Sequence, residues 1–333
     1  MKQPASFQLN TFHAAPSPED LRGIILPIIT PFDFAGALDL AGLRANIARW
    51  SQTGIDGYVI LGSTGERVHL DEREYLSVIE AAREAVSVTG QDSVFIVGAG
   101  QQSTVGTVNE IKRVTTTVPV DAFLVITPHF YRPSITQSAL IAHYQSIADA
   151  SPAPLILYSM PALTGIKIEP ETAARLSEHE NISGIKDSSA DLAGLRETIK
   201  LVRKDFAVIT GNGTVLSQAL SAGACGGILA VGCVAPALCL AIAGAVQSGD
   251  NATAAMLQAK LTPLAEAVTI RFGIGGLKAA LEMKGYIGGA VRAPLRAPDS
   301  EARGEICRCL EEAEQETAKA QRAPTDPVQN RAR

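Results

Sequence analysis

Residues Ile182 to Val202 read ISGIKDSSADLAGLRETIKLV. The stretch opens on a short apolar run, Ile182–Ile185, breaks at Asp187-Ser188-Ser189, and resumes over Leu192–Val202 with apolar residues at helical spacing. An apolar run of strand length followed by an amphipathic helix is one βα unit. The pattern recurs along the chain. Strand-like runs stand at Ile24–Thr30, Tyr58–Leu61, Val94–Val97, Ala122–Ile126, Leu155–Tyr158, Ala207–Thr210 and Gly227–Val231, with helix-like segments such as Asp39–Thr53, Asp71–Val88 and Thr104–Thr116 between them. Strands that are apolar without alternation suit a parallel sheet buried on both faces. Eight units between residues 22 and 249 approach the roughly 250 residues of a (β/α)8 TIM barrel, so the expected fold is of the α/β class. A doubly wound open sheet would call for a glycine fingerprint after the first strand, and Thr30-Pro31-Phe32-Asp33 is none.

Outward from this barrel the expected organisation changes character. Asp250–Ile270, Gly276–Lys284 and Asp299–Lys319 have helical spacing with no strand among them, which makes 250–319 a C-terminal helical segment packed on the barrel. Residues 1–21 read as a polar N-terminal tail and 320–333, AQRAPTDPVQNRAR, as a disordered one. The 333 residues carry a net charge of −5 with no basic run, which argues against a nucleic-acid surface. An odd set of five cysteines, Cys225, Cys233, Cys239, Cys307 and Cys309, fits a reducing cytoplasm better than a disulfide framework. Between Asp205 and Asp250 no charged residue or histidine occurs, and Ala222–Val246 is long enough to span a bilayer. Gly226-Gly227, Gly232 and Pro236 divide that run, so the expectation is a buried strand, loop and helix and no membrane contact.

Several familiar motifs fail on inspection. Gly98-Ala99-Gly100 meets Ser103, and Gly211-Asn212-Gly213 meets Leu216, where a dinucleotide fingerprint needs its third glycine. The histidines His13, His69, His129, His143 and His179 are scattered singly, and neither H-E-x-x-H nor C-x-x-C occurs. No metal site and no cofactor is expected. Ser183-Gly184-Ile185-Lys186 matches an S-x-x-K pattern without the partner motifs that give it meaning.

Lys186 is different, because it follows a strand-like run and precedes a loop, and in a barrel the C-terminal strand ends face the active site. A lysine set there among apolar neighbours can offer its amine lone pair to a carbonyl. On position alone, a lysine paired with Asp187 is the better account. Other strand ends alter the balance. Tyr158 closes the fifth run within Tyr158–Gly165, and Gly62-Ser63-Thr64-Gly65-Glu66 closes the second. Barrel geometry then gathers an amine, a phenol and two hydroxyls on one face, with glycines that let backbone N–H groups approach a carboxylate.

At these residues the sequence resembles the dihydrodipicolinate synthase and N-acetylneuraminate lyase family of class I, Schiff-base aldolases. The motifs are Gly62–Glu66, Tyr158–Gly165 and Gly184–Ser188, and the likeness spans about 22–296. It implies a homotetramer, a small 2-oxo acid substrate, Lys186 as Schiff-base lysine, Tyr158 as general acid and base, Ser63 and Thr64 as carboxylate holders, and Ser188 and the Ile228 backbone as pocket lining. Within the family the nearest likeness is to 4-hydroxy-2-oxoglutarate aldolase, through Tyr158-Ser159 and the stretches 271–274, 285–289 and 292–295. Where several members place an interface tyrosine, this chain has Phe130, with Tyr131 beside it as the candidate relay. Leu163 stands where dihydrodipicolinate synthases usually carry an arginine. The expected reaction is therefore cleavage of a 4-hydroxy-2-oxo acid to pyruvate and an aldehyde, with 4-hydroxy-2-oxoglutarate as the substrate. The alternatives are condensation of pyruvate with aspartate semialdehyde, or turnover of a 2-keto-3-deoxy sugar acid. A non-catalytic barrel acting as a binding module is the rival from another class.

Overall fold

Eight strands pair in chain order and close on themselves, every neighbour parallel: β1 (Gly23–Pro27), β2 (Gly57–Ile60), β3 (Val94–Ala99), β4 (Ala122–Ile126), β5 (Leu155–Ser159), β6 (Ile182–Asp187), β7 (Ala207–Thr210) and β8 (Gly226–Ile228). The ladder from β8 back to β1, Gly23 to Gly226 and Ile25 to Ile228, completes the ring. A computed structural model of the chain describes residues 21–322. The chain is a TIM barrel with C-terminal helices.

Helices α1 (Leu40–Trp50), α2 (Glu72–Thr89), α3 (Thr104–Thr117), α4 (Gln137–Ala150), α5 (Pro161–Thr164), α6 (Pro170–Ser177), α7 (Leu192–Leu201), α8 (Leu216–Ser221) and α9 (Pro236–Gln247) separate the strands and follow the last of them. Several start where a short polar side chain can accept from an otherwise unpaired helix N–H. Asp39, Ser103, Thr136 and Asp191 do so, and Asp71 forms a capping box with Glu74.

Along the strands, alternate side chains part into two cores, as a two-residue period requires. Ile25, Val59, Ile96, Leu124, Ile156, Tyr158, Ile209 and Ile228 fill the barrel interior, while their neighbours Ile24, Tyr58, Phe95, Phe123, Leu157 and Val208 meet the helices. Strand β6 keeps this order only through an irregularity. Leu155 pairs with Ile182 but Ile156 with Gly184, so Ser183 is an extra residue in the ladder. The bulge leaves Ile182 and Ile185 both against the helices and brings Lys186 level with Tyr158.

The chain continues into α10 (Asn251–Glu266), a π-helical turn (Ala267–Arg271), α11 (Gly273–Met283) and α12 (Ser300–Arg322). Helix α10 packs on α9, and α12 lies across α9, α10 and α11. Several boundaries differ from the sequence expectation, among them the end of β1, at Pro27 rather than Thr30. Leu21, assigned to a polar tail, is fully buried and belongs to the barrel interior. The eighth strand ends at Ile228 rather than Val231, because a 3-10 turn over Ala230–Cys233 follows. The helix expected over Asp250–Ile270 gives way to the π turn at Ala267, and α12 runs to Arg322, past the expected limit. The rest of both expected tails, 1–20 and 323–333, lies outside the described residues. Among the described residues no helix is long and apolar enough to cross a membrane, Ala222–Val246 being divided among β8, the 3-10 turn and α9. All five cysteines are free thiols.

Candidate active site

Tyr158 and Lys186 face one another across the β5–β6 ladder, and the Lys186 amine stands 4.4 Å from the centre of the Tyr158 ring. Both side chains are buried. The phenol oxygen is 2.9 Å from Ser63 Oγ, within hydrogen-bond reach. Amine, phenol and hydroxyl therefore meet at the C-terminal end of the barrel, contributed by β6, β5 and the turn after β2. Asp187, the bland partner for Lys186, instead accepts from the backbone N–H of Ser189. Burial raises its carboxyl above the usual carboxylate range. Among the described residues Lys186 has no carboxylate within ion-pair distance.

The lysine stem lies close against the loop after β7. A Cβ built on Gly211 would stand 2.6 Å from Lys186 Cε and 2.0 Å from Ser188 Oγ, so a larger residue there must push both side chains aside. Glycine leaves both side chains where they are, and its N–H donates to Asp187 O at 2.6 Å. Ser188, in turn, donates its backbone N–H to Ser159 O.

Ser63 and Thr64 sit in a 3-10 turn, Ser63–Gly65, bracketed by two left-handed residues that are not glycine, Leu61 (φ 56°) and Glu66 (φ 54°). Each such residue costs about 1–3 kcal/mol and persists only where its surroundings impose it. They do here. Thr30 Oγ1 donates to Gly65 O at 2.7 Å, and Gly98 lets the Leu61 carbonyl lie where a Cβ would be 2.2 Å away.

A cavity of about 330 Å³ opens beside this turn. Its walls are mainly apolar: Leu124 and Ile126 of β4, Leu163 of α5, and Ile274 and Leu295 of the C-terminal segment, with Ser63 and Tyr158 among the polar groups and His69 and His129 also lining it. Leu163 lines this cavity, whereas Lys186, Thr64 and Ser188 do not. The other sequence-predicted residues scatter more widely. Ile228 is fully buried in the barrel interior. Tyr131 is 69% exposed, stacked edge-on against Phe130, and lies outside the cavity within one chain. Gly211, Ile274 and Leu295 carry no role in the sequence reading. The first is marked only by a close approach, and the last two by a tertiary contact that no local spacing reports. Among the described residues, no three metal-ligating side chains gather.

A model of the dihydrodipicolinate synthetase family matches residues 20–313. The chain belongs to that family. It is 35% identical over 277 residues to a 4-hydroxy-tetrahydrodipicolinate synthase of Haloarcula marismortui, covering 83% of this chain and 88% of that one. It is 36% identical over 277 residues to synthase 1 of Streptomyces coelicolor, with coverages of 82% and 88%. Among solved structures, the dihydrodipicolinate synthase of Thermotoga maritima aligns with a TM-score of 0.82 at 30% identity, covering 88% of this chain and 98% of that one. YagE, a prophage protein of E. coli K12 solved in complex with pyruvate, aligns at 0.81 and 28%, again over 88% and 98%. The family's members are class I, Schiff-base, metal-independent lyases and aldolases, and this chain is an enzyme of that class with a small-molecule substrate. The Haloarcula, Streptomyces and Thermotoga relatives are synthases, so they lend no support to the finer likeness to a hydroxyoxoglutarate aldolase.

Because the lysine stem depends on Gly211, Gly211→Ala is expected to leave the circular dichroism spectrum intact while slowing borohydride trapping of pyruvate about a hundredfold, the scale of an ångström-sized misplacement. Trapping at the wild-type rate would show that Lys186 and Ser188 repack around the methyl group without loss.

Proposed function

We propose that this enzyme cleaves, and in reverse forms, the C3–C4 bond of a 4-hydroxy-2-oxo acid through an imine on Lys186, with Tyr158 moving the proton. The observation that carries the reading is the meeting of the Lys186 amine, the Tyr158 phenol and Ser63 Oγ at the barrel mouth. The amine attacks the keto carbon, Tyr158 gives its proton to the departing hydroxyl so that water leaves, and a protonated imine and the Tyr158 phenolate remain. Tyr158 takes the proton of the C4 hydroxyl as the C3–C4 bond breaks, and the bonding pair moves into the imine as an enamine. The aldehyde departs. Protonation of the enamine at C3 and hydrolysis of the imine then return pyruvate and the free lysine. Ser63, sharing a hydrogen bond with the phenol, and Thr64, with the N–H groups of their turn, would hold the C1 carboxylate, with Ser188 and the Ile228 backbone closing the pocket.

The substrate follows from where charge can be accommodated. In 4-hydroxy-2-oxoglutarate the second carboxylate is bonded directly to the reacting C4, close to the polar groups of the turn. Aspartate semialdehyde would instead extend an ammonium and a carboxylate further out, past Leu163, Leu124, Ile126, Ile274 and Leu295. Leucine offers no donor there, and the Arg67 guanidinium that also lines the cavity is paired with Glu110, so a charge-assisted contact of about 1.5–3 kcal/mol is forgone, roughly a tenfold to hundredfold loss in affinity. This favours cleavage of 4-hydroxy-2-oxoglutarate to pyruvate and glyoxylate. Condensation of pyruvate with aspartate semialdehyde is the second reading, supported by the names of the relatives from Haloarcula and Streptomyces. The exposure of Phe130 and Tyr131 supports a homotetramer in which that loop meets another copy and Tyr131 serves as relay. Five free thiols support a cytoplasmic setting.

Borohydride reduction in the presence of pyruvate is expected to leave a stable adduct on Lys186, located by peptide mass; an unmodified lysine at saturating pyruvate would end the Schiff-base assignment. Tyr158→Phe should keep the ring packed and lower turnover by roughly 10² to 10⁴, the range for a lost acid–base group, and near-normal turnover would move the proton transfer to Tyr131 or to Ser63 and Thr64. Comparing kcat/KM for 4-hydroxy-2-oxoglutarate, aspartate semialdehyde with pyruvate, and a 2-keto-3-deoxy sugar acid should place the first highest. A clear preference for the semialdehyde would install the synthase reading instead.

A further inference from the structure

Glu66 directly follows the Ser63-Thr64-Gly65 turn, yet its carboxylate takes no part in the reaction proposed above. It is almost wholly buried and forms a 2.5 Å ion pair with Lys278 of α11, itself 2% exposed. Its other oxygen lies 3.2 Å from His69 Nδ1 and accepts from the backbone N–H of Arg292 at 3.1 Å. Lys278 also donates to Ala290 O at 2.6 Å and stands over the Phe32 ring. The guanidinium of Arg292 makes a two-pronged pair with Glu74, donates to Gly36 O and His69 O, and covers the same ring. Phe32 joins Ala290 through a β-bridge. One carboxylate thus ties residues 278–292, more than two hundred positions later in the chain, to the turn that carries Ser63 and Thr64.

Burying two charges is a costly way to gain stability, since apolar residues of equal volume often serve as well or better. What such a pair can supply instead is geometry. Here the geometry is specific, because Glu66 is one of the two left-handed residues that bracket the turn, and nothing in its own side chain favours that conformation.

We infer that Glu66 is a positioning residue: its carboxylate, gripped by Lys278, His69 and the Arg292 N–H, holds the Gly62–Gly65 turn in the shape that receives the substrate's C1 carboxylate. This rests on the pyruvate chemistry proposed for Lys186. It assigns the C-terminal segment a part in substrate binding as well as in packing. Glu66 touches neither Lys186 nor Tyr158, so its loss should act mainly on the affinity for pyruvate and much less on the chemistry at saturation.

The test is borohydride trapping of the full-length protein across pyruvate concentrations, with thermal melting in parallel, for wild type, Glu66→Gln and the double variant Glu66→Gln/Lys278→Met. Glu66→Gln is expected to melt lower, leaving Lys278 charged and unpaired, and to raise the half-saturating pyruvate concentration about tenfold to a hundredfold, with the trapping rate at saturation changed by less than about threefold, as expected for an interaction felt in binding. The double variant removes the unpaired charge and should regain most of the melting temperature. Its half-saturation should stay raised, because methionine gives Ala290 no donor and the amide gives the turn a weaker grip. The inference is overturned if folded Glu66→Gln half-saturates as the wild type does, or if the double variant recovers melting temperature and half-saturation together, which would make the pair a packing device only. Should Glu66→Gln fail to fold, the double variant decides by the same criterion. Wild-type protein that traps no pyruvate overturns the Schiff-base chemistry and this inference with it, whereas normal wild-type trapping leaves the role of Glu66 to be decided by the variants alone.

Discussion

One extra residue in β6 governs the site. Strand residues alternate between barrel interior and helix-facing side, so the face on which a side chain falls is a matter of counting. Ser183, opposite no residue of β5, shifts that count by one. Ile182 and Ile185 both reach the helix-facing core, and Lys186 comes level with Tyr158 over the barrel mouth. The surrounding features accommodate the choice: Gly184 beneath the backbone of Ala207, and Gly211 beside the lysine stem, are positions where a Cβ would stand less than 3 Å from its neighbours.

The turn opposite is set by a different kind of force. Its hydroxyls and amides come from a segment whose backbone is bracketed by left-handed Leu61 and Glu66, and a bulky or charged residue adopts that conformation only under external constraint. Close backbone approach at Gly98 constrains the first of the two. Electrostatics constrains the second, through an ion pair whose members are both about 2% exposed or less. Desolvation of Lys278 drives its amine below the usual lysine range while Glu66 pulls it back up, the balance expected when a charge is buried only because its partner is there. The shape of the turn and the packing of the scaffold are in this region the same set of contacts.

How much of this could be read from the sequence follows the range of the interactions involved. The strands were legible because a buried parallel sheet makes them continuous apolar runs, and Lys186, Tyr158, Ser63 and Thr64 because each stands at the end of such a run. Helix starts such as Asp71 with Glu74 are local and equally visible. The bulge at Ser183 is not, since it depends on register with another strand. Leu21 reads as part of a tail because the interior cluster it joins is assembled from strands spread along the whole barrel sequence, from Ile25 to Ile228. Ile274 and Leu295 could not be assigned to the cavity wall by spacing, and Glu66 was visible as part of a motif while its partner Lys278 lay on a helix that looked merely structural.

The distribution of the site along the chain also bears on the order in which it can come into being. A polypeptide emerging from the ribosome exposes Ser63 early and Lys186 much later, and the cavity has no complete wall until Ile274 and Leu295 have been made. The β1–β8 ladder that closes the ring cannot form before β8 exists, and loop closure over so long a separation is a late entropic step. A nascent chain paused anywhere within the barrel therefore carries Lys186 without the completed cavity, or neither. The amine, the phenol and the cavity beside them exist together only when synthesis is nearly finished.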